Sequence, residues 1–209
     1  MVDLIKIKDS VIDGEVDEVR DMVKKAVDEG QEVKRILNEA LLPGISIVGD
    51  KYEKGEFFLP EMVIAATAMR EGLEVLSPFL APGDIEAAGT VVMGTAKGDI
   101  HDIGKIIVGT MLEGAGFIVT DIGVDVDPSK FVEVAKENNA DLIGVSALLT
   151  TTMTGLKDVV ETVKEAGLKA KVMIGGASIT QEFADEIGAD GYAPDASSAV
   201  KKAKELVKG

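Results

Sequence analysis

The chain's only histidine is His101, and it lies in Lys97-Gly98-Asp99-Ile100-His101-Asp102-Ile103-Gly104-Lys105. Glycine, carboxylate and lysine gathered this closely suggest a phosphate loop, but the spacing excludes one. A P-loop has four residues between its glycines and a Ser or Thr after its Lys; here five residues separate Gly98 from Gly104, and Ile106 follows Lys105. What remains is an imidazole with a carboxylate two residues before it. In extended backbone, residues i and i+2 point to the same side, so Asp99 can hold one ring nitrogen while the other faces outward. A metal-ligating histidine usually has such a carboxylate behind it, which fixes the tautomer and raises ring basicity. Two other readings stand beside this one. His101 can be an exposed loop residue next to a helix-capping aspartate, or a general base, for which the sequence offers no nucleophilic partner.

Two further segments bear on the choice. Ser146-Ala147-Leu148-Leu149-Thr150-Thr151-Thr152 is a hydroxyl-rich stretch ahead of a helical pattern, and Gly175-Gly176 supplies two positions without side chains. Alone, the glycine pair reads as a tight strand-to-helix turn. Taken together, the two segments describe a narrow slot, floored by backbone and able to donate hydrogen bonds, that suits a flat ligand tail.

The elements that position these residues follow from the apolar rhythm. From Thr90 onward, short apolar runs alternate five times with amphipathic stretches, beginning TVVMGT, FIVTDIG, DLIGVSA, KVMIGG and DGYA. Five βα units predict an α/β flavodoxin-like fold, a five-stranded parallel sheet of order 2-1-3-4-5 with helices on both faces. Such sheets bind ligands beyond the carboxyl ends of the strands, where the winding reverses between the first and third. The loop after the first strand is Ala96–Asp102, and the loop after the third begins at Ser146. All three signals therefore fall at one place.

The first half is helical. Val16, Val19, Met22, Val23, Ala26 and Val27 mark one buried face, with Gly30 as a stop. A second helix runs from about Glu32 toward Gly49, interrupted or bent near Pro43-Gly44. A third starts at Pro60 and reaches Leu76. With an opening helix near Leu4–Asp13, this is a four-helix bundle, in which Phe57-Phe58-Leu59 reads as ordinary core. The expected organisation is a helical domain over 1–77, a linker over 78–89 and an α/β domain over 90–209.

Composition limits the rest. Hydrophobic residues at 46% are enough for a core, and a net charge of -15 disfavours nucleic acid and anionic membrane surfaces. The absence of cysteine excludes disulfides, Cys-ligated zinc and iron–sulfur clusters. No signal peptide or spanning segment is apparent, so a cytoplasmic location is expected.

At this point the motifs are recognisable. Asp99-Ile100-His101-Asp102-Ile103-Gly104 matches the DxHxxG motif of corrinoid-binding proteins in which a protein histidine ligates cobalt. Ser146-Ala147-Leu148 matches their SxL motif and Gly175-Gly176 their GG motif. Val48-Gly49-Asp50, Gly55-Glu56 and Phe58-Leu59-Pro60 resemble the cap domain of cobalamin-dependent methionine synthase. The resemblance covers nearly the whole chain and extends to the stand-alone corrinoid proteins that serve methyltransferases for methanol, methylamines, betaines and aryl methyl ethers.

The resemblance implies cobalamin or a related corrinoid, with His101 as lower axial ligand of cobalt and Asp99 hydrogen-bonded behind it. Thr152 aligns with a serine in methionine synthase, which implies an altered or weaker proton relay. Gly98, Ile100, Asp102, Ile103 and Gly104 complete the cofactor-binding loop. Ser146, Leu148, Thr150, Gly175 and Gly176 would line the slot for the displaced nucleotide tail, with Ala196 beside it. Tyr52, in place of a phenylalanine, would lie with Leu59 and Met62 over the upper corrin face. The implied function is that of a non-autonomous methyl carrier, taking a methyl group on Co(I) from a substrate-specific methyltransferase and passing it to an acceptor methyltransferase that uses a folate or thiol. A reductive activase is a third partner, and Ser77–Gly89 is the hinge. The alternatives are the small subunit of an adenosylcobalamin mutase, which typically lacks a helical cap, a B12-sensing regulator, which needs a basic recognition helix, and a metal-free flavodoxin-like module.

Overall fold

The structure, a computed structural model, describes residues 1–80 and 87–208. The expected linker and its hinge fall largely on residues 81–86, outside the described residues. The chain divides into two compact units, Met1–Ala87 with Glu113–Gly116, and Ala88–Leu112 with Phe117–Gly209.

The first unit is helical: α1 (Leu4–Ile12), α2 (Val16–Asp28), α3 (Val33–Ile36), α4 (Leu42–Glu53) and α5 (Leu59–Leu76). On α2 the buried residues Val19, Val23 and Ala26 recur at helical spacing, and they pack on α5. Small residues on α5 allow close approach: a Cβ on Gly72 would come within 2.9 Å of Leu41 and 3.1 Å of Val19. The interruption or bend expected near Pro43-Gly44 falls a turn earlier. Proline has no N–H, and its ring crowds the carbonyl four residues back. Instead of breaking, the helix widens into a π turn over Leu37–Leu41, with the Leu42 N–H bonded to the Leu37 carbonyl five residues back. The Phe57-Phe58-Leu59 cluster is not core, because Phe58 is 66% exposed and Phe57 and Leu59 are half-buried.

The second unit is a sheet of β1 (Thr90–Thr95), β2 (Ile118–Asp121), β3 (Leu142–Ser146), β4 (Lys171–Gly175) and β5 (Gly191–Ala193). The order is β2-β1-β3-β4-β5, and every pair is parallel. The helices are α6 (Ile103–Gly114), α7 (Pro128–Glu137), α8 (Met153–Glu165), α9 (Gln181–Ile187) and α10 (Ala196–Lys208). Alternation along the strands sorts side chains between the two faces. Val92, Ile143, Val145, Val172 and Ile174 join Phe131, Leu156, Val159 and Ala184 in one core. Gly94 makes room there, since a Cβ on it would lie 2.7 Å from the Phe131 ring. On the opposite face, Met93, Gly144 and Met173 stand side by side in register. The winding reverses between β1 and β3, which fixes where a ligand site is expected. Among the described residues, no helix is long and apolar enough to cross a membrane.

Candidate corrinoid site

The loop from Ala96 to Asp102 leaves β1 and turns into α6, whose first carbonyl acceptor is Asp102 (Ile106 N–H to Asp102 O, 2.8 Å). Within this loop Asp99 is buried, 1% exposed. Its Oδ1 accepts from the His101 backbone N–H at 3.0 Å and lies 2.7 Å from His101 Nδ1. Its Oδ2 accepts from the Leu148 N–H and the Thr152 hydroxyl, both at 2.7 Å. A Leu149 N–H contact at 3.4 Å adds to these. The Thr152 oxygen also lies 2.9 Å from the Leu149 carbonyl, but its single proton favours the charged acceptor. Burial pushes the Asp99 pKa up, and the bonds from Thr152, His101 and Leu148 outweigh it, holding the carboxyl well below the ordinary range.

An ionised Asp99 fixes the His101 proton at Nδ1 and leaves the Nε2 lone pair for a ligand. The imidazole is 47% exposed, flanked by Ile100 at 73% and Ile103 at 75%. Two large apolar side chains turned to solvent around a free ring nitrogen form a platform for a broad, flat, largely apolar ligand. A lone imidazole is a poor site for a bare ion, and no group of three or more His, Cys, Asp or Glu suited to a metal occurs among the described residues. It suits a metal whose other ligands come with it, as in a macrocycle.

Beside the imidazole opens a cavity of about 590 Å³. The expected residues His101, Ile100, Asp102, Ile103 and Gly104 form one wall, and Ser146, Leu148, Gly175, Gly176 and Ala196 another. Gly176 is required by packing: its φ is +142°, and a Cβ there would sit 1.8 Å from the Ala147 carbonyl oxygen. Asp99 and Thr152 lie behind the histidine and not on the cavity wall. Threonine's extra methyl does not lengthen the relay, whose hydroxyl reaches Asp99 at 2.7 Å. Gly98 is also outside the lining, holding the loop with φ +84°. Thr150 is exposed and does not line the cavity. Tyr52, Leu59 and Met62 belong to the helical unit, where Tyr52 and Leu59 are half-buried and Met62 is buried.

Several cavity residues escape sequence reasoning. Met93, Gly144 and Met173 line it in a row across three strands. Gly144 lacks a side chain where neighbouring strands carry methionines, and the Met93 side chain lies over it, its Cγ 3.2 Å from where a Cβ would sit. Alternation of apolar residues signalled only core there. Lys105 also lines the cavity. Its ammonium is buried and ion-paired with Asp121 at the end of β2, tying the first turn of α6 to the sheet edge. Thr95, wholly buried, donates its hydroxyl to the His101 carbonyl at 3.1 Å.

Comparison with known proteins shows the family. A family model described as a B12 binding domain matches residues 89–201, and a second of the same description matches residues 5–77. The chain belongs to the B12-binding proteins. Among the relatives of this B12-binding chain, dimethylamine corrinoid protein 2 of Methanosarcina acetivorans is 48% identical over 209 residues, covering 99% of this chain and 96% of the relative. A corrinoid protein of Desulfitobacterium hafniense is 44% identical, covering 98% and 97%. Among solved structures, the methanol:cobalamin methyltransferase complex of Methanosarcina barkeri matches with a TM-score of 0.83 at 32% identity, covering 97% of this chain and 78% of that one. The cofactor of this B12-binding protein is cobalamin or a related corrinoid.

Proposed function

We propose that this chain is a methyl carrier. It holds a corrinoid at the carboxyl edge of its sheet, presents it to a methyltransferase that delivers a methyl group, and then to a second that removes the methyl to a folate or thiol acceptor. A reductive activase serves as third partner. The observation that carries this reading is a buried Asp99 2.7 Å from His101 Nδ1, with the imidazole exposed between two exposed isoleucines. The relatives named for dimethylamine and for methanol:cobalamin methyltransferase support methyltransferase partners.

When bound, the corrinoid supplies the cobalt that takes up and gives up the methyl group. His101 would hold the cobalt through Nε2, and Asp99, with Thr152 behind it, would keep the imidazole oriented through Nδ1. Met93, Gly144 and Met173, with Ser146, Leu148 and Gly175-Gly176, line the cavity that would take the remainder of the corrinoid. Tyr52, Leu59 and Met62 of a helical domain over 1–77 would be further corrinoid-binding residues, with residues 78–89 as the linker between the two domains.

The test is the absorbance of the purified protein loaded with hydroxocobalamin. His101→Ala is expected to remain folded when unloaded, with a lower melting temperature because buried Asp99 loses the ring's donor, and to lose the His-on spectrum. An unchanged bound-corrinoid spectrum in this variant overturns the ligand assignment. Turnover with methylcobalamin and none with adenosylcobalamin separates a carrier from a mutase subunit.

A further inference from the structure

The ligand loop is held from outside by a residue of the next connection, the segment between β2 and α7. Asp125 accepts from the Gly98 backbone N–H through Oδ1 at 2.7 Å and donates its own N–H to the Asp99 carbonyl at 2.9 Å. The two bonds bracket the peptide between Gly98 and Asp99, the carboxylate that aims His101. The same segment adds three more links. The Thr95 N–H donates to the Gly123 carbonyl at 3.0 Å, the Val126 N–H donates to the Thr95 carbonyl at 3.0 Å, and Lys97 pairs with Asp127 at 2.8 Å. Asp125 does this with φ +53°, a left-handed conformation that costs a side-chain-bearing residue free energy unless its surroundings enforce it. Aspartate tolerates that region better than most residues because its carboxylate can bond nearby backbone, and here it bonds the ligand loop.

We infer that Asp125 is a positioning residue for the axial histidine: it clamps the Gly98–Asp99 peptide and so fixes Asp99, and through Asp99 the direction of His101 Nε2. This rests on His101 being the corrinoid's axial ligand. Two properties of Asp125 can be separated by substitution. Asn keeps both the acceptor oxygen and tolerance of positive φ. Gly keeps only the conformation, and Ala keeps neither.

The experiment loads wild type and the three variants with methylcobalamin and reads the His-on and His-off absorption bands, alongside melting of the unloaded proteins. Asp125→Asn is expected to match wild type. Asp125→Ala and Asp125→Gly should both shift the His-on to His-off ratio toward His-off by about tenfold, the lower end of what outer partners of a ligating histidine contribute. Asp125→Gly should melt no lower than Asp125→Ala, since glycine relieves the backbone cost. A wild-type spectrum in Asp125→Gly overturns the inference, because only the conformation would then matter, and so does a wild-type spectrum in Asp125→Ala. A wild-type protein that binds corrinoid without His-on bands, or binds none, instead refutes the ligand assignment itself.

Discussion

At the scale of single residues, the site depends on a carboxylate that gives up water and is repaid in hydrogen bonds. Asp99 meets two backbone N–H groups, a hydroxyl and an imidazole within 3.0 Å. Removing one donor leaves a buried charge short of a partner, so Thr152→Val, which keeps the side chain's shape, is expected to destabilise the protein by about 1–3 kcal/mol at neutral pH. The pH dependence has a definite sign. A carboxyl whose folded pKa is depressed contributes stability above its unfolded value of about 3.9 and loses it as pH falls through the folded value. The variant raises the folded pKa of Asp99 back toward the ordinary range. Its stability curve should therefore run parallel to the wild-type curve near neutrality, and the two should converge in acid. Urea unfolding over a descending pH series checks this, and curves that stay parallel throughout contradict it. His101 and Asp99 were legible in the sequence because their spacing is local. Thr95 and Asp125 were not. A threonine at a strand end looks like any strand residue, and Asp125 acts on Gly98 across 27 positions of chain.

At the scale of elements, periodicity located each strand and helix of the sheet unit to within a few residues, because a buried face imposes its period directly on the sequence. In the helical unit the sequence signals a helix interrupted or bent near Pro43-Gly44, and the structure holds a π turn at Leu37–Leu41. Pro43 signals the conflict but not how the helix resolves it. The glycines divide into two kinds that sequence does not distinguish. Gly176 is demanded by the fold, with positive φ and the Ala147 carbonyl where a Cβ would go, so Gly176→Ala should cost at least about 3 kcal/mol of stability. Gly104 has no atom within 4 Å of a built Cβ, and it sits in the first turn of α6, where alanine is no worse than glycine for the helix. The fold does not require glycine at that position, yet it lies on the cavity wall beside His101. Gly104→Ala should leave the melting of the unloaded protein unchanged or slightly raised. It should also weaken corrinoid binding by about 1–3 kcal/mol of overpacking, roughly 5-fold to 150-fold in affinity. Titration with hydroxocobalamin checks the second half. Full affinity in the variant would mean that this motif glycine does not face the ligand.

At the scale of the whole molecule, every residue that lines the cavity lies in the sheet unit, on strands, the loops that follow them, α6 and α10. A ligand held there binds the folded sheet and not the unfolded chain, so it must stabilise the sheet in proportion to the logarithm of its free concentration. At a hundredfold excess over the dissociation constant the gain is about 2.7 kcal/mol, which for a chain of 209 residues raises the melting temperature by roughly 5–10 °C. His101→Ala removes an axial bond but leaves the slot intact, so at the same concentration it should show a smaller increase, not none. Thermal melts followed by far-ultraviolet circular dichroism at several hydroxocobalamin concentrations supply the measurement. A melting temperature that does not move with concentration contradicts a site built on the folded sheet. An equal increase in His101→Ala and wild type would place the binding energy wholly in the slot, with the imidazole serving to set the metal's reactivity and not to hold the cofactor.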